Sequence, residues 1–256
     1  MDLVEVPGGA IRYRRRGAGP PLVLLSTLSG SWLRQVTELS HHFAVLTYDM
    51  RGFGDSPSET GFPTNAEHAD DLAALLDTLG VPTVTVVGQS HGGLVAQHFA
   101  AKYAGRLAGL GLVATFSRPH GSTLLLLRML YGFLERDDLA NFWEVLRAFL
   151  FTADGSDFLA RRETALKQAM FDQYDTAALR SIYGQAIEHD SSGWFGAVSC
   201  PTLVVGGAED MLFPPMLTQR LAALVPGARL ELLPAAHIPP VEAARPFNRL
   251  LLETFG

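Results

Sequence analysis

The stretch Val84-Thr-Val-Val-Gly-Gln-Ser-His-Gly-Gly93 constrains this chain more than any other. Its β-branched opening reads as a short buried strand, and Leu94–Tyr103 beyond it is helical in pattern. Between the two lies Gly88-x-Ser90-x-Gly92, so a strand has to turn abruptly into a helix. A bend that sharp forces its central residue into strained backbone geometry, and neighbours two positions away collide unless they lack a Cβ. The turn holds a serine hydroxyl clear at the end of a sheet. The following amide opens a helix, whose N-terminus favours a developing negative charge.

The rest of the chain repeats this grammar. Strand candidates are Leu22–Ser26, Phe43–Asp49, Val84–Gly88 and Leu110–Ala114 in the first half, then Pro201–Gly206 and Arg229–Leu233 in the second. They are short, rich in Val and Leu and without strict alternation, as strands covered on both faces are. Asn65–Leu79 has apolar residues at helical spacing and stops at Gly80 with Pro82 beyond, and Pro240–Phe255 reads as a closing helix. Strands alternating with helices predict a mostly parallel central sheet with helices on both faces. From about Pro119 to Asp190 the grammar breaks. That stretch reads as amphipathic helices over Leu124–Leu134, Leu139–Phe151, Phe158–Phe171 and Ala177–Glu188. The expected organisation is a core over 1–118 and 191–256, with a helical cap inserted over 119–190.

Composition removes several function classes. A 48% hydrophobic share in 256 residues supplies a sizeable core and excludes a disordered or fibrous chain. A net charge of -6 argues against a nucleic-acid partner, which needs clustered positive charge. The one basic run, Arg12 with Arg14, Arg15 and Arg16, interleaves with Ile11 and Tyr13 and reads as the polar face of an early strand. Cys200 is the single cysteine, so neither an intramolecular disulfide nor a Cys-rich metal site is expected. Leu124–Leu134 is interrupted by Arg128 and is too short to span a bilayer. With no visible secretory signal, the chain reads as soluble and cytoplasmic, with a small-molecule substrate and no membrane partner.

Taken together, these stretches resemble the α/β-hydrolase superfamily over nearly the whole chain outside the helical block. Asp49-Met-Arg-Gly-Phe-Gly-Asp-Ser56 resembles the family's loop after its fourth strand, where Asp49 and Asp55 shape the loop with Arg51. Gly88–Gly93 resembles its nucleophile elbow, Gly206–Asp210 the turn presenting an acid, and Leu233–His237 the loop carrying a histidine. The chain order Ser, Asp, His is the one this fold uses. The resemblance implies Ser90 as nucleophile, His237 as base and Asp210 as its orienting acid, with Glu209 the neighbouring rival. His237 is favoured independently among eight histidines, because it lies on a loop at the same sheet edge as Ser90.

Two positions depart from the family pattern. Many members have His-Gly where this chain has Ser26 and Thr27, and the resemblance then puts one oxyanion amide on Leu28 and the other on His91. The enol-lactonase branch of the family, too, dispenses with His-Gly. His91 itself stands where methionine is frequent. It has two readings, a side chain packed behind the elbow with only its amide in use, or a second imidazole near the substrate. The function implied is a hydrolase cleaving an ester or lactone of a mostly apolar small molecule through an acyl-serine, without cofactor or metal. Acyl transfer, C–C cleavage, cofactor-free oxygenation and a catalytically silent binding module are the alternatives.

Overall fold

The computed structural model describes residues 2–27, 29–152, 167, 174 and 176–256. Eight strands form one sheet: β1 (Asp2–Val6), β2 (Gly9–Arg16), β3 (Pro21–Leu25), β4 (Ala44–Tyr48), β5 (Val84–Gln89), β6 (Leu107–Val113), β7 (Thr202–Gly207) and β8 (Arg229–Leu233). Their spatial order is β1-β2-β4-β3-β5-β6-β7-β8. All neighbours from β4 to β8 pair in parallel, while β2 runs antiparallel to both β1 and β4. The six expected strands are all present. β2 is the early strand expected to carry the arginine run, with Arg14, Arg15 and Arg16 exposed, and β1 pairs with it as an addition.

Helices cover both faces, as the uniformly apolar inner strands require. On one face α2 (Asn65–Thr78), α3 (His91–Lys102) and α7 (Pro215–Ala223) bury Leu72, Leu76, Val95, Phe99 and Leu221 against Val23, Val86 and Leu112. On the other, α1 (Leu33–Leu39) and α9 (Ala244–Phe255) close over Leu24, Val87 and Val205 through Leu39, Phe247 and Leu251. Local chemistry sets the boundaries. Thr64 and Glu67 form a reciprocal capping box at the start of α2. Gly80, at φ 63°, ends it, with Gly80 N donating to the Asp77 carbonyl and Val81 N to that of Leu76.

The expected closing helix is broken into α8 (Pro239–Glu242) and α9, with Ala243 outside helical geometry at φ -119° and ψ 42°. Pro246 explains the break. It has no N–H for the Glu242 carbonyl four residues back, and its ring would clash with that oxygen in a continuous helix. Between β6 and β7 the described helices are α4 (Ser122–Glu135), α5 (Leu139–Leu150) and α6 (Thr176–Glu188). They share an apolar cluster with Leu94 of α3 and with Leu212 and Phe213 beyond β7. The helix expected over Phe158–Phe171 lies outside the described residues. Among the described residues no helix is long and apolar enough to cross a membrane.

Strand order also locates a crevice. From β3 the chain moves outward through α1 to β4, whereas from β5 it moves the other way through α3 to β6. At such a reversal, the loops leaving two adjacent parallel strands part and open a cleft at their C-terminal ends. Ser26 and Thr27 follow β3 there, and Ser90 follows β5.

Candidate active site

Ser90 sits at φ 53° and ψ -119°, a conformation that costs a residue bearing a Cβ on the order of 1–3 kcal/mol. The surroundings enforce it. Ser90 N donates to the Val113 carbonyl at 2.9 Å, and the Ser90 carbonyl accepts from Thr115 Oγ1 at 3.0 Å and from Gly93 N at 2.9 Å. A Cβ on Gly88 would run into the Gly92 carbonyl, and one on Gly92 into the Leu25 carbonyl of β3. The two flanking glycines therefore let β5, α3 and β3 close around the bend.

His237 and Asp210 meet Ser90 from two other loops. Asp210 follows β7, and His237 lies between β8 and α8; both are buried. His237 Nδ1 is 3.0 Å from Asp210 Oδ2, and Nε2 is 3.1 Å from Ser90 Oγ. A carboxylate only accepts, so Nδ1 carries the proton and bare Nε2 faces the serine hydroxyl. The other carboxylate oxygen, Oδ1, accepts from Leu212 N at 2.9 Å and Phe213 N at 2.8 Å. Phe213 also sets its ring edge-on to the imidazole, with centroids 4.7 Å apart. Asp210 and His237 are thus fixed by one neighbour acting twice. Glu209 is exposed and takes no part.

The remaining expected residues fall as follows. His91 begins α3, so its amide lies at the helix N-terminus directly after Ser90. Its imidazole packs edge-on against His68 of α2, with centroids 6.1 Å apart, and neither ring nitrogen has a hydrogen-bond partner among the described residues. Burial, with His68 and His189 nearby, holds the His91 imidazole neutral down to a pKa of about 3. His68 is likewise lowered by burial. Leu28 lies outside the described residues; its neighbours Ser26 and Thr27 stand at the site, and Ser26 Oγ is 2.7 Å from Ser31 Oγ. Asp49 accepts from Asp55 N at 3.3 Å, and Arg51 is paired to buried Asp71 at 2.9 Å, so this loop is tied down behind the site.

Above Ser90 and His237 opens a cavity of about 550 Å³. Its walls are Leu94 of α3, Leu127 of α4, Leu146 and Leu150 of α5, and Leu179 and Ile182 of α6. Its polar lining includes Ser26, Thr27, Ser31, Gln89 and Tyr174. Tyr174 is half-buried close to the Thr27 side chain, and desolvation raises its pKa. Thr115, Phe213 and Tyr174 escaped the sequence reading. They act through contacts between distant segments and carry no local motif. Among the described residues no three His, Cys, Asp or Glu side chains are gathered for a metal ion.

The family described as the alpha/beta hydrolase fold matches residues 20–244. A candidate carbamate hydrolase, RutD, of Stutzerimonas stutzeri is 30% identical over 91% of this chain and 91% of its own. The pimeloyl-[acyl-carrier protein] methyl ester esterase of Chromobacterium violaceum is 30% identical over 93% of this chain and 94% of its own. Among solved structures, the enol-lactonase of Burkholderia xenovorans LB400 superposes with a TM-score of 0.88 at 27% identity, covering 99% of each chain.

Proposed function

The chain belongs to the α/β-hydrolase family, and from that premise we propose that it hydrolyses carboxylic esters or lactones of apolar small molecules through an acyl-Ser90 intermediate. The observation that carries this reading is the hydrogen-bonded run from Ser90 Oγ through His237 to Asp210, opening into an apolar cavity. Ser90 Oγ attacks the substrate carbonyl while His237 Nε2 takes its proton. Asp210 holds the imidazole in the required tautomer and stabilises the imidazolium. The His91 amide at the start of α3 donates to the oxyanion, an interaction worth roughly 10²–10³ in rate. His237 then returns the proton to the departing alkoxide. Water, deprotonated by the same imidazole, attacks the acyl carbonyl and releases Ser90 with the acid product.

Helices α4, α5 and α6 act as a cap whose leucines receive the hydrocarbon part of the substrate. A relative described as a candidate carbamate hydrolase suggests a second scissile group, because a carbamate carbonyl passes through the same kind of tetrahedral adduct. The leucine-rich walls favour the ester, since a small polar carbamate would leave them without contact. Ser90→Ala tests the reading. It should abolish turnover of a chromogenic short-chain ester and prevent labelling by a fluorophosphonate; unchanged turnover in that variant would remove the mechanism.

A further inference from the structure

Glu242 is the last residue of α8, five positions beyond His237. Its carboxylate spans two segments distant in sequence. One oxygen, Oε2, accepts from the amide of Ala236, immediately before His237, at 2.8 Å. The other, Oε1, accepts from Thr152 N at 2.9 Å and Thr152 Oγ1 at 2.8 Å, just past the end of α5. The short helix bearing Glu242 is itself held. Its Pro240 carbonyl accepts from Gln35 at 2.8 Å and its Val241 carbonyl from Arg34 at 3.0 Å, both on α1.

We propose that Glu242 is a positioning residue that locks the loop carrying His237 to the end of α5. The inference rests on the hydrolase reading above. Two features make a carboxylate the required group. All its partners are donors, and an ionised carboxylate offers acceptors on both oxygens, whereas an amide of the same shape would turn an NH₂ against one of the two backbone N–H groups. Hydrogen bonds to a charged acceptor are also about twice as strong as neutral ones. What is fixed matters for the chemistry on both sides. The Ala236 peptide leads directly into His237, whose Nε2 has to stay within reach of Ser90 Oγ. Leu146 and Leu150 of α5, with Ile238 after His237, line the cavity. Glu242 thus sets base and cavity wall in one register, acting through its neighbours without touching substrate.

The test compares the full chain with Glu242→Gln and Thr152→Val, using kcat and KM for p-nitrophenyl butyrate, fluorophosphonate labelling of Ser90 and the thermal midpoint. Glu242→Gln should lower kcat by about ten-fold or more, as misplaced catalytic groups do, and slow labelling in parallel. Thr152→Val keeps the carboxylate, so its effect should fall mainly on KM. Wild-type kcat and undiminished labelling in Glu242→Gln would overturn the inference, as would an activity loss that only tracks a lowered midpoint. Should that variant fail to fold, Glu242→Asp serves: it keeps the charge, but one methylene less cannot reach Ala236 and Thr152 together, and undiminished kcat there is equally contrary. A wild-type chain that neither turns over the ester nor labels would overturn the hydrolase reading and this inference with it. An active wild type with an indifferent Glu242→Gln overturns the inference alone.

Discussion

One peptide bond separates two polar groups that are built in opposite ways. In front of the elbow, the Ser90 hydroxyl joins His237 and Asp210 in a run where both ring nitrogens and both carboxylate oxygens have partners. Next to it, His91, which also lines the cavity, meets His68 edge to face; none of their four ring nitrogens has a hydrogen-bond partner among the described residues, though Asp71 Oδ2 lies 3.7 Å from His68 Nδ1. Tyr48, also buried, leaves its hydroxyl unpartnered there as well. The contrast separates burial from organisation. His237, Asp210, His91 and His68 are all buried, but only the front group offers a directed path for a proton, and it ends at half-buried Ser90. Burial keeps the imidazoles of His91 and His68 uncharged, against the pull of Asp71 on His68.

The largest expected effects come from breaking the front group. Ser90→Ala and His237→Ala should each lower kcat on a short-chain ester by at least about 10⁴-fold, with the residual rate owed to binding and the oxyanion amides. Asp210→Asn should cost about the same order, because an amide would present the wrong group to Nδ1. Steady-state kinetics on the purified variants checks all three; a ten-fold loss or less in any of them would break the front group's side of the comparison.

Smaller effects are expected from the His91 side chain. His91→Leu removes two unpartnered nitrogens and keeps an apolar side chain of similar bulk. Replacing an unsatisfied buried polar group in this way is nearly neutral or stabilising. Turnover should stay within about three-fold of wild type, and the thermal midpoint should hold or rise by about 2–4 °C, the shift that 1 kcal/mol produces in a chain of this size. A hundred-fold loss of turnover at full stability would instead give the His91 imidazole a part in the chemistry.

The smallest effect is on the pH dependence of stability. In the folded chain His91 stays neutral down to a pKa of about 3 and His189 to about 4, both chiefly through burial, and His68 is lowered for the same reason. Unfolded histidines take up protons below about pH 6.5, so in the window beneath that value the unfolded state binds more protons. Stability should therefore be full above pH 6.5 and decline as the pH falls towards 4, by roughly 1.4 kcal/mol per unit for each such histidine at most. Urea unfolding from pH 7 to 4.5 should show a shallower decline in His91→Leu than in wild type. Parallel curves would contradict the assignment.

The sequence and the structure agree most closely where the decisive chemistry is local. Gly88, Ser90 and Gly92 belong to one turn, and the apolar inner strands announce burial on both faces, so the sheet and the elbow were readable from short windows. The β1 edge was not. Asp2–Val6 buries only Val4 and Val6, and its polar residues hide a strand whose pairing depends on β2. The break at Ala243 was readable in principle from Pro246, which bars a helix bond to Glu242. The supports of the site were hidden for another reason. Thr115 under Ser90, Phe213 against His237 and Tyr174 on Thr27 come from separate loops, and their roles exist only once the chain has folded. The contact of His91 with His68 could not be read from sequence either, because only the packing of α2 against α3 brings the two rings together.

The central claim is that the exposed end of this organised run, Ser90 Oγ, is the nucleophile. Intact-protein mass spectrometry after treatment with a fluorophosphonate, followed by peptide mapping, tests it directly. The account predicts a single stoichiometric adduct on the peptide containing Ser90, absent from Ser90→Ala. An adduct on any other residue, or equal labelling of Ser90→Ala, would contradict it.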